Sequence, residues 1–230
     1  FFANTVATET AVQISALMRD AGAGDGQVFF CNSGAEANEA AIKLSRKFGG
    51  RGRHVMVTAY GSFHGRTLGA LALTGQPAKH EIFQPMPEGF RYCEFGDIAS
   101  LEAQIDDTVS AVMLESIQGE GGVIPADAAY LQAVQSLCRE RGVLLIIDEV
   151  QTGFCRTGKW FASQWEEGFE PDLMTIAKGI AGGMPISAVT GRAEIMDASH
   201  PGGMGGTFGG NPVSAAAAVA VLKQIEAGGV

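Results

Sequence analysis

Apolar and polar residues follow two different rhythms along this chain, and the two rhythms take turns. Residues 5–19 repeat apolar positions at helical spacing, and then QVFFC stays almost wholly apolar until the polar pair Asn32 and Ser33. A second helical stretch is expected over residues 35–48, leading into the strand HVMVT. The same alternation predicts strands in RYCEF, AVMLE, VLLII, DLMTI and ISAVT, helices over 98–105 and 128–141, and a final alanine-rich helix over 212–226. Short apolar strands separated by longer amphipathic helices predict an α/β fold, with one mixed, mostly parallel sheet covered by helices on both faces. No linker, low-complexity tract or repeat interrupts the pattern, so residues 1–230 read as one continuous domain.

One strand ends in an unusual way. In VLLIIDEVQTG, five apolar residues stop at two adjacent carboxylates, Asp148 and Glu149. The C-terminal ends of parallel strands are where α/β sheets place ligands. An ionised carboxylate there is costly unless something cationic meets it.

Composition narrows what that ligand could be. The chain carries a net charge of -9, with a pI near 4.9 and a mean hydropathy of +0.13. These values fit a globular chain, and with no basic stripe they argue against nucleic acid or an anionic membrane as partner. Glycine makes up 32 of 230 residues, roughly twice usual usage, so many close backbone approaches are implied. Cys31, Cys93, Cys138 and Cys155 lie in separate segments without metal-ligand spacing and read as reduced thiols of a cytoplasmic protein. No apolar run reaches membrane-spanning length. Phe1 stands where an initiator Met would be, so both ends read as truncated.

Five loops carry candidate chemistry, each beside an ordinary reading. In CNSGAEANEAAIK, Ser33 and Gly34 open a helix whose first N–H groups suit a phosphate, although Ser33 reads equally as an N-cap. AYGSFHGRT gathers Phe63, which can lie on a ring, His64, and Arg66, which can fork a carboxylate; Phe63 as core and His64 as a structural residue are the commoner fates. LESIQGEGG places Glu115 almost inside a strand and Glu120 beyond it, where a solvated Glu120 is the simple alternative. In TIAKGIAGGMP, apolar and small neighbours predict a desolvated Lys178 with an amine poised for imine formation, against the usual lysine that reaches water. PGGMGGTFGGNP is a compact or flexible glycine loop carrying Thr207 and Asn211.

A phosphate-holding helix start, an aromatic for stacking, a strand-end acid and a nucleophilic lysine are jointly what pyridoxal phosphate requires. Its aldehyde joins a lysine, and its ring nitrogen keeps a proton only beside an anion. Asp148 is that anion, and Glu149 then faces the other side of the strand.

At this point NSGAEANEAAIK, FHGRTLGALALTG, QGEGGVIPA, IIDEVQTGFCRTG, TIAKGIAGGMPI and GGTFGGNP resemble the class III, or ω-amino acid, aminotransferases of fold type I. The resemblance implies the large cofactor domain of that fold, an imine linkage at Lys178 and a homodimer with shared active sites. It assigns the phosphate to Ser33, Gly34 and Ala35, ring stacking to Phe63, the pyridine nitrogen to Asp148 and the ring hydroxyl's vicinity to Gln151. Thr207 would reach the neighbouring subunit's phosphate, Arg66 a substrate carboxylate, and Glu120 would gate a second substrate arginine. No metal is implied. GFRYCEFGDIASLEAQI is similar to the N-acetylornithine branch and GFCRTGKWFA to the 4-aminobutyrate branch, the first being favoured. Ser116 replaces a proline usual in the family. Members also begin earlier and continue into a small C-terminal domain.

The activity so implied is ping-pong transfer of a terminal amino group to 2-oxoglutarate. Two other classes stay open: a noncatalytic dimerising core that binds the cofactor, and a lysine aldolase or nucleotide-binding α/β protein.

Overall fold

In the computed structural model, residues 4–21 and 26–228 are described; Phe1 and Val230, on which the expectation of truncated ends rests, lie outside them. The helices are α1 (Thr5–Asp20), α2 (Gly34–Gly49), α3 (Leu68–Leu73), α4 (Ile98–Glu102), α5 (Ala128–Arg141), α6 (Ala193–Met196) and α7 (Pro212–Glu226). The strands are β1 (Gly26–Cys31), β2 (Val55–Ala59), β3 (Phe90–Cys93), β4 (Val109–Leu114), β5 (Ile117–Gln118), β6 (Ile124–Pro125), β7 (Leu144–Asp148), β8 (Leu173–Ile176) and β9 (Ser187–Arg192). Helix starts follow local chemistry. Asn4, Ser33, Asp97, Asp127 and Asn211 each cap a helix with a side-chain oxygen that accepts a first-turn N–H. Gly142 ends α5 in the left-handed conformation that a C-terminal cap favours.

Seven strands form one sheet in the order β1-β9-β8-β7-β4-β2-β3, while β5 and β6 make a small separate hairpin. Among the described strands of the large sheet, β9 alone runs opposite to the rest. Every residue of β2, β4, β7 and β8 is buried, which explains their unbroken apolar runs.

Alternation along the strands divides the core into two layers. Val57, Leu114, Leu145, Ile147 and Ile176 pack with residues of α1, α5 and α7 on one face. Met56, Met113, Leu144 and Ile146 pack with Ala40, Ala41 and Leu44 of α2 on the other. Since side chains alternate, Asp148 follows Leu144 and Ile146 onto the α2 face and Glu149 emerges on the opposite one.

The expected α/β architecture is present, with shifts at the ends. The helix expected over 98–105 stops at Glu102, where Gln104 and Ile105 bond back three residues and tighten the last turn. Too short to show a period, α3, α6 and the β5–β6 hairpin were not anticipated by the hydrophobic pattern.

Candidate active site

At the C-terminal ends of β4, β7 and β8 lies a cleft of about 470 Å³. Ser33, Gly34, Ala35, Phe63, Arg66, Glu120, Asp148, Gln151 and Lys178 all line it, with Asn38, His64 and Glu115. Thr207 does not; it lies on an exposed loop over a separate depression beside β1 and α2.

Asp148 forms the floor and is 4% exposed. Its Oδ2 accepts from Asn38 Nδ2 at 2.9 Å and pairs with His64 Nδ1 at 2.8 Å, while Oδ1 accepts the Val150 N–H at 2.9 Å. The partner that a buried strand-end carboxylate needs is therefore supplied within the chain, by His64. Burial alone would lower the imidazole's pKa, yet the hydrogen bond and charge of Asp148, helped by Glu115, carry it above the ordinary value. On its other side, His64 Nε2 meets Thr58 Oγ1 at 3.0 Å, which fixes the ring's plane.

Asn38 lies one turn into α2, on its buried face. Its amide nitrogen donates to Asp148 and also to the His64 carbonyl at 2.5 Å, while its own Oδ1 has no partner. Turning the amide over would set an oxygen against two acceptors, so the orientation is fixed by the network. A buried amide that leaves its oxygen unpaired in order to brace a carboxylate is placed for that carboxylate's sake.

Glu149, fully buried on the opposite face, contacts none of this. It accepts the N–H groups of Ala162 at 3.0 Å and Ser163 at 2.8 Å and the hydroxyl of Thr152. Burial raises its pKa against those hydrogen bonds.

Lys178 corrects one expectation. Ile176 and Ala177 are buried, but Lys178 turns into a left-handed backbone conformation (φ 42°) and extends its exposed side chain into the open cleft, where the amine donates to Gln151 Oε1. Apolar sequence neighbours did not desolvate it, because the strand has ended and the chain has turned away.

Ser33 serves as the N-cap, with Oγ accepting the Glu36 N–H at 3.2 Å. The N–H groups of Gly34 and Ala35 belong to the first turn and have no acceptor within the helix. A Cβ at Gly34 would come within 2.8 Å of Val150 Cγ1, so glycine lets this helix start close on the loop after Asp148.

At the mouth, the half-buried ring of Phe63 has two cations near its face: Arg66 with its guanidinium carbon at 5.6 Å and Lys79 with its amine at 5.0 Å from the centroid. Glu120 is held by Lys79 and by Gln76 Nε2 at 2.7 Å. Slight burial acts to raise its pKa, but these hydrogen bonds and the Lys79 and Arg66 charges bring it below the ordinary carboxylate value.

Asn38 and His64 join the site without a local pattern that marks them as its members. Weaker signals exist for both: Asn38 is a polar residue on the buried stripe of an otherwise alanine-rich helix face, and His64 adjoins Phe63. Neither shows what it touches.

Among the described residues no helix is long and apolar enough to cross a membrane. The family model for class-III aminotransferases matches residues 1–230. An acetylornithine aminotransferase of Listeria monocytogenes serotype 4b is 49% identical over 221 residues, covering 96% of this chain and 56% of its own length. One from Mycobacterium tuberculosis H37Rv is 52% identical over 204 residues, covering 89% and 50%. The chain thus spans about half the length of the curated relatives it matches. Among solved structures, the ornithine aminotransferase of Toxoplasma gondii ME49 superposes with a TM-score of 0.90 at 36% identity, over 98% of this chain and 54% of that one. A pyridoxal-phosphate-bound amine transaminase from an uncultivated Pseudomonas species gives 0.91 at 30%, over 98% and 58%. On this agreement of sequence, fold and cleft, the chain belongs to the class-III aminotransferase family.

Proposed function

We propose that this chain is the cofactor-holding part of a cytoplasmic, pyridoxal-phosphate-dependent aminotransferase. It moves the terminal amino group of an ω-amino donor, N-acetylornithine first, to 2-oxoglutarate by a ping-pong route. The observation that carries the reading is the meeting, in one cleft, of a strand-end amine at Lys178, a buried carboxylate at Asp148 and the open start of α2. The donor rests on the names of the relatives near 50% identity.

The residues present fit the cofactor. Gly34 is packed so closely on Val150 that a side chain would fill the approach to the helix start, and the first-turn N–H groups there are donors matched to a phosphate. When bound, pyridoxal phosphate supplies an aldehyde that takes up amines and a protonated ring that accepts the electron pair left when a carbon–hydrogen bond breaks.

Each residue then has a part. Asp148, braced by His64, Asn38 and the Val150 N–H, would be the anion that holds a proton on the ring nitrogen of a bound cofactor. Lys178 holds the cofactor through its amine. With the cofactor and donor in place, that amine would be the base positioned to take up and give back the proton of the donor's amine-bearing carbon. Phe63 covers the ring and excludes water, Gln151 lies beside the lysine, and Arg66 takes a donor carboxylate. Thr207, exposed and outside the cleft of its own chain, is in keeping with service to the partner's phosphate in a homodimer.

Borohydride reduction followed by peptide mapping tests the assignment: the label is expected on Lys178, and a label elsewhere would overturn it. Lys178→Ala should keep the cofactor bound while turnover falls by at least about 10³-fold, read with a panel of amino donors that includes 4-aminobutyrate.

A further inference from the structure

Beside Asp148 lies a second buried acid to which the reaction just described assigns no part. Leu114 of β4 pairs in parallel register with Ile147 of β7, so the next residues, Glu115 and Asp148, leave adjacent strand ends together. Both line the cleft, and Glu115 is 5% exposed. The Glu115 carboxylate accepts the Phe63 N–H at 3.4 Å and a hydrogen bond from the Gly119 backbone. No lysine or arginine makes an ion pair with it among the described residues.

Charge counting shows what this arrangement can do. A proton on His64 offsets the charge of the Asp148 carboxylate it pairs with, so an ionised Glu115 beside them would leave one uncompensated negative charge in a buried cluster. A cationic ring beside Asp148 changes the sum, because a second positive charge calls for a second negative one. We propose that Glu115 is the second counter-ion of the cleft: it holds a proton before the cofactor arrives and releases it to solvent when a protonated ring pairs with Asp148. This rests on the pyridoxal phosphate reading above.

The titration fits this role. Burial raises the Glu115 pKa most, the His64 charge lowers it, the Asp148 charge raises it again, and the balance lies at about 7. The other charges facing this region are Arg66, Lys178 and Glu120 on the cleft walls and Lys79 at the mouth. Arg66, Lys178 and Glu120 are exposed and Lys79 partly so, and solvent screens them.

Linkage gives the sign and the size. If Glu115 is ionised in the loaded protein, affinity for a cationic ring rises with pH as the free protein loses that proton, by about tenfold between pH 6 and 8 for a group titrating midway. The test measures pyridoxal phosphate affinity across that range in the complete protein, wild type and Glu115→Gln, with proton release read calorimetrically in two buffers of different ionisation enthalpy. The expected result is a wild-type slope and proton release that both shrink in Glu115→Gln. Equal slopes and equal release would overturn the proposal. Should Glu115→Gln fail to fold, infrared difference spectra of the wild type decide: loading must remove a protonated-carboxyl band, and an unchanged band overturns it. Wild-type protein that takes up no pyridoxal phosphate sinks the cofactor reading itself, whereas normal loading with an unaltered pH profile in the variant sinks only the role of Glu115.

Discussion

Asp148 and Glu149 leave the end of β7 on opposite faces of the sheet, and each is surrounded by a different kind of group. On the α2 face the donors to Asp148 are two side chains and one N–H: an imidazole that carries charge, an amide that leaves its own oxygen unpaired, and Val150. On the far face the donors to Glu149 are two N–H groups opening the turn at Ala162–Trp165 and one hydroxyl. The first set tunes and aims a charge toward a cleft, at some cost in unsatisfied polar atoms. The second ties a loop to a strand, with backbone N–H groups supplying two of its donors. Two identical functional groups, one peptide bond apart, thereby face an open cleft and a packed loop.

Four substitutions would break or sharpen this contrast. The largest effect on stability is expected from Glu149→Ala, which strands two buried N–H groups and a hydroxyl and should cost about 3 kcal/mol in denaturant unfolding. Asp148→Asn should cost far less in the same experiment while removing most pyridoxal phosphate binding. Equal losses of stability would erase the distinction between the faces. Next comes Glu115→Gln. An acid whose folded pKa is raised, here from 4.5 to about 7, favours the folded state below its unfolded value and loses that contribution as pH rises through the window. Unfolding free energy of cofactor-free protein should therefore fall between about pH 4.5 and 7 by up to about 3 kcal/mol, and the variant should flatten that fall. Smallest is Gly34→Ala, whose methyl meets the stiff Val150 side chain at 2.8 Å. Moving the start of α2 off its neighbour should cost about 1–2 kcal/mol, most visible as weaker phosphate-dependent cofactor binding.

The same contrast explains what the sequence could reveal. The order of β2, β4, β7 and β8 with their covering helices was legible because buried parallel strands are uniformly apolar, and the opposite facing of Asp148 and Glu149 follows from strand geometry alone. The candidate loops and the family resemblance together point to nine residues that share the cleft. What could not be read was contact across the sheet. His64 meets Asp148 from 84 positions away and Asn38 from 110, and no local pattern encodes such a meeting. Lys178 departs from the expected desolvation for a related reason: its neighbours in sequence are not its neighbours in space, because a single backbone turn separates the two.

That turn has an outcome of its own. At φ 42° Lys178 occupies a region of backbone space that glycine enters freely and side-chain-bearing residues enter with strain. Drift toward a more relaxed chain would therefore run toward losing the amine. Under the proposed function, the amine is what such a strained lysine would supply that glycine could not.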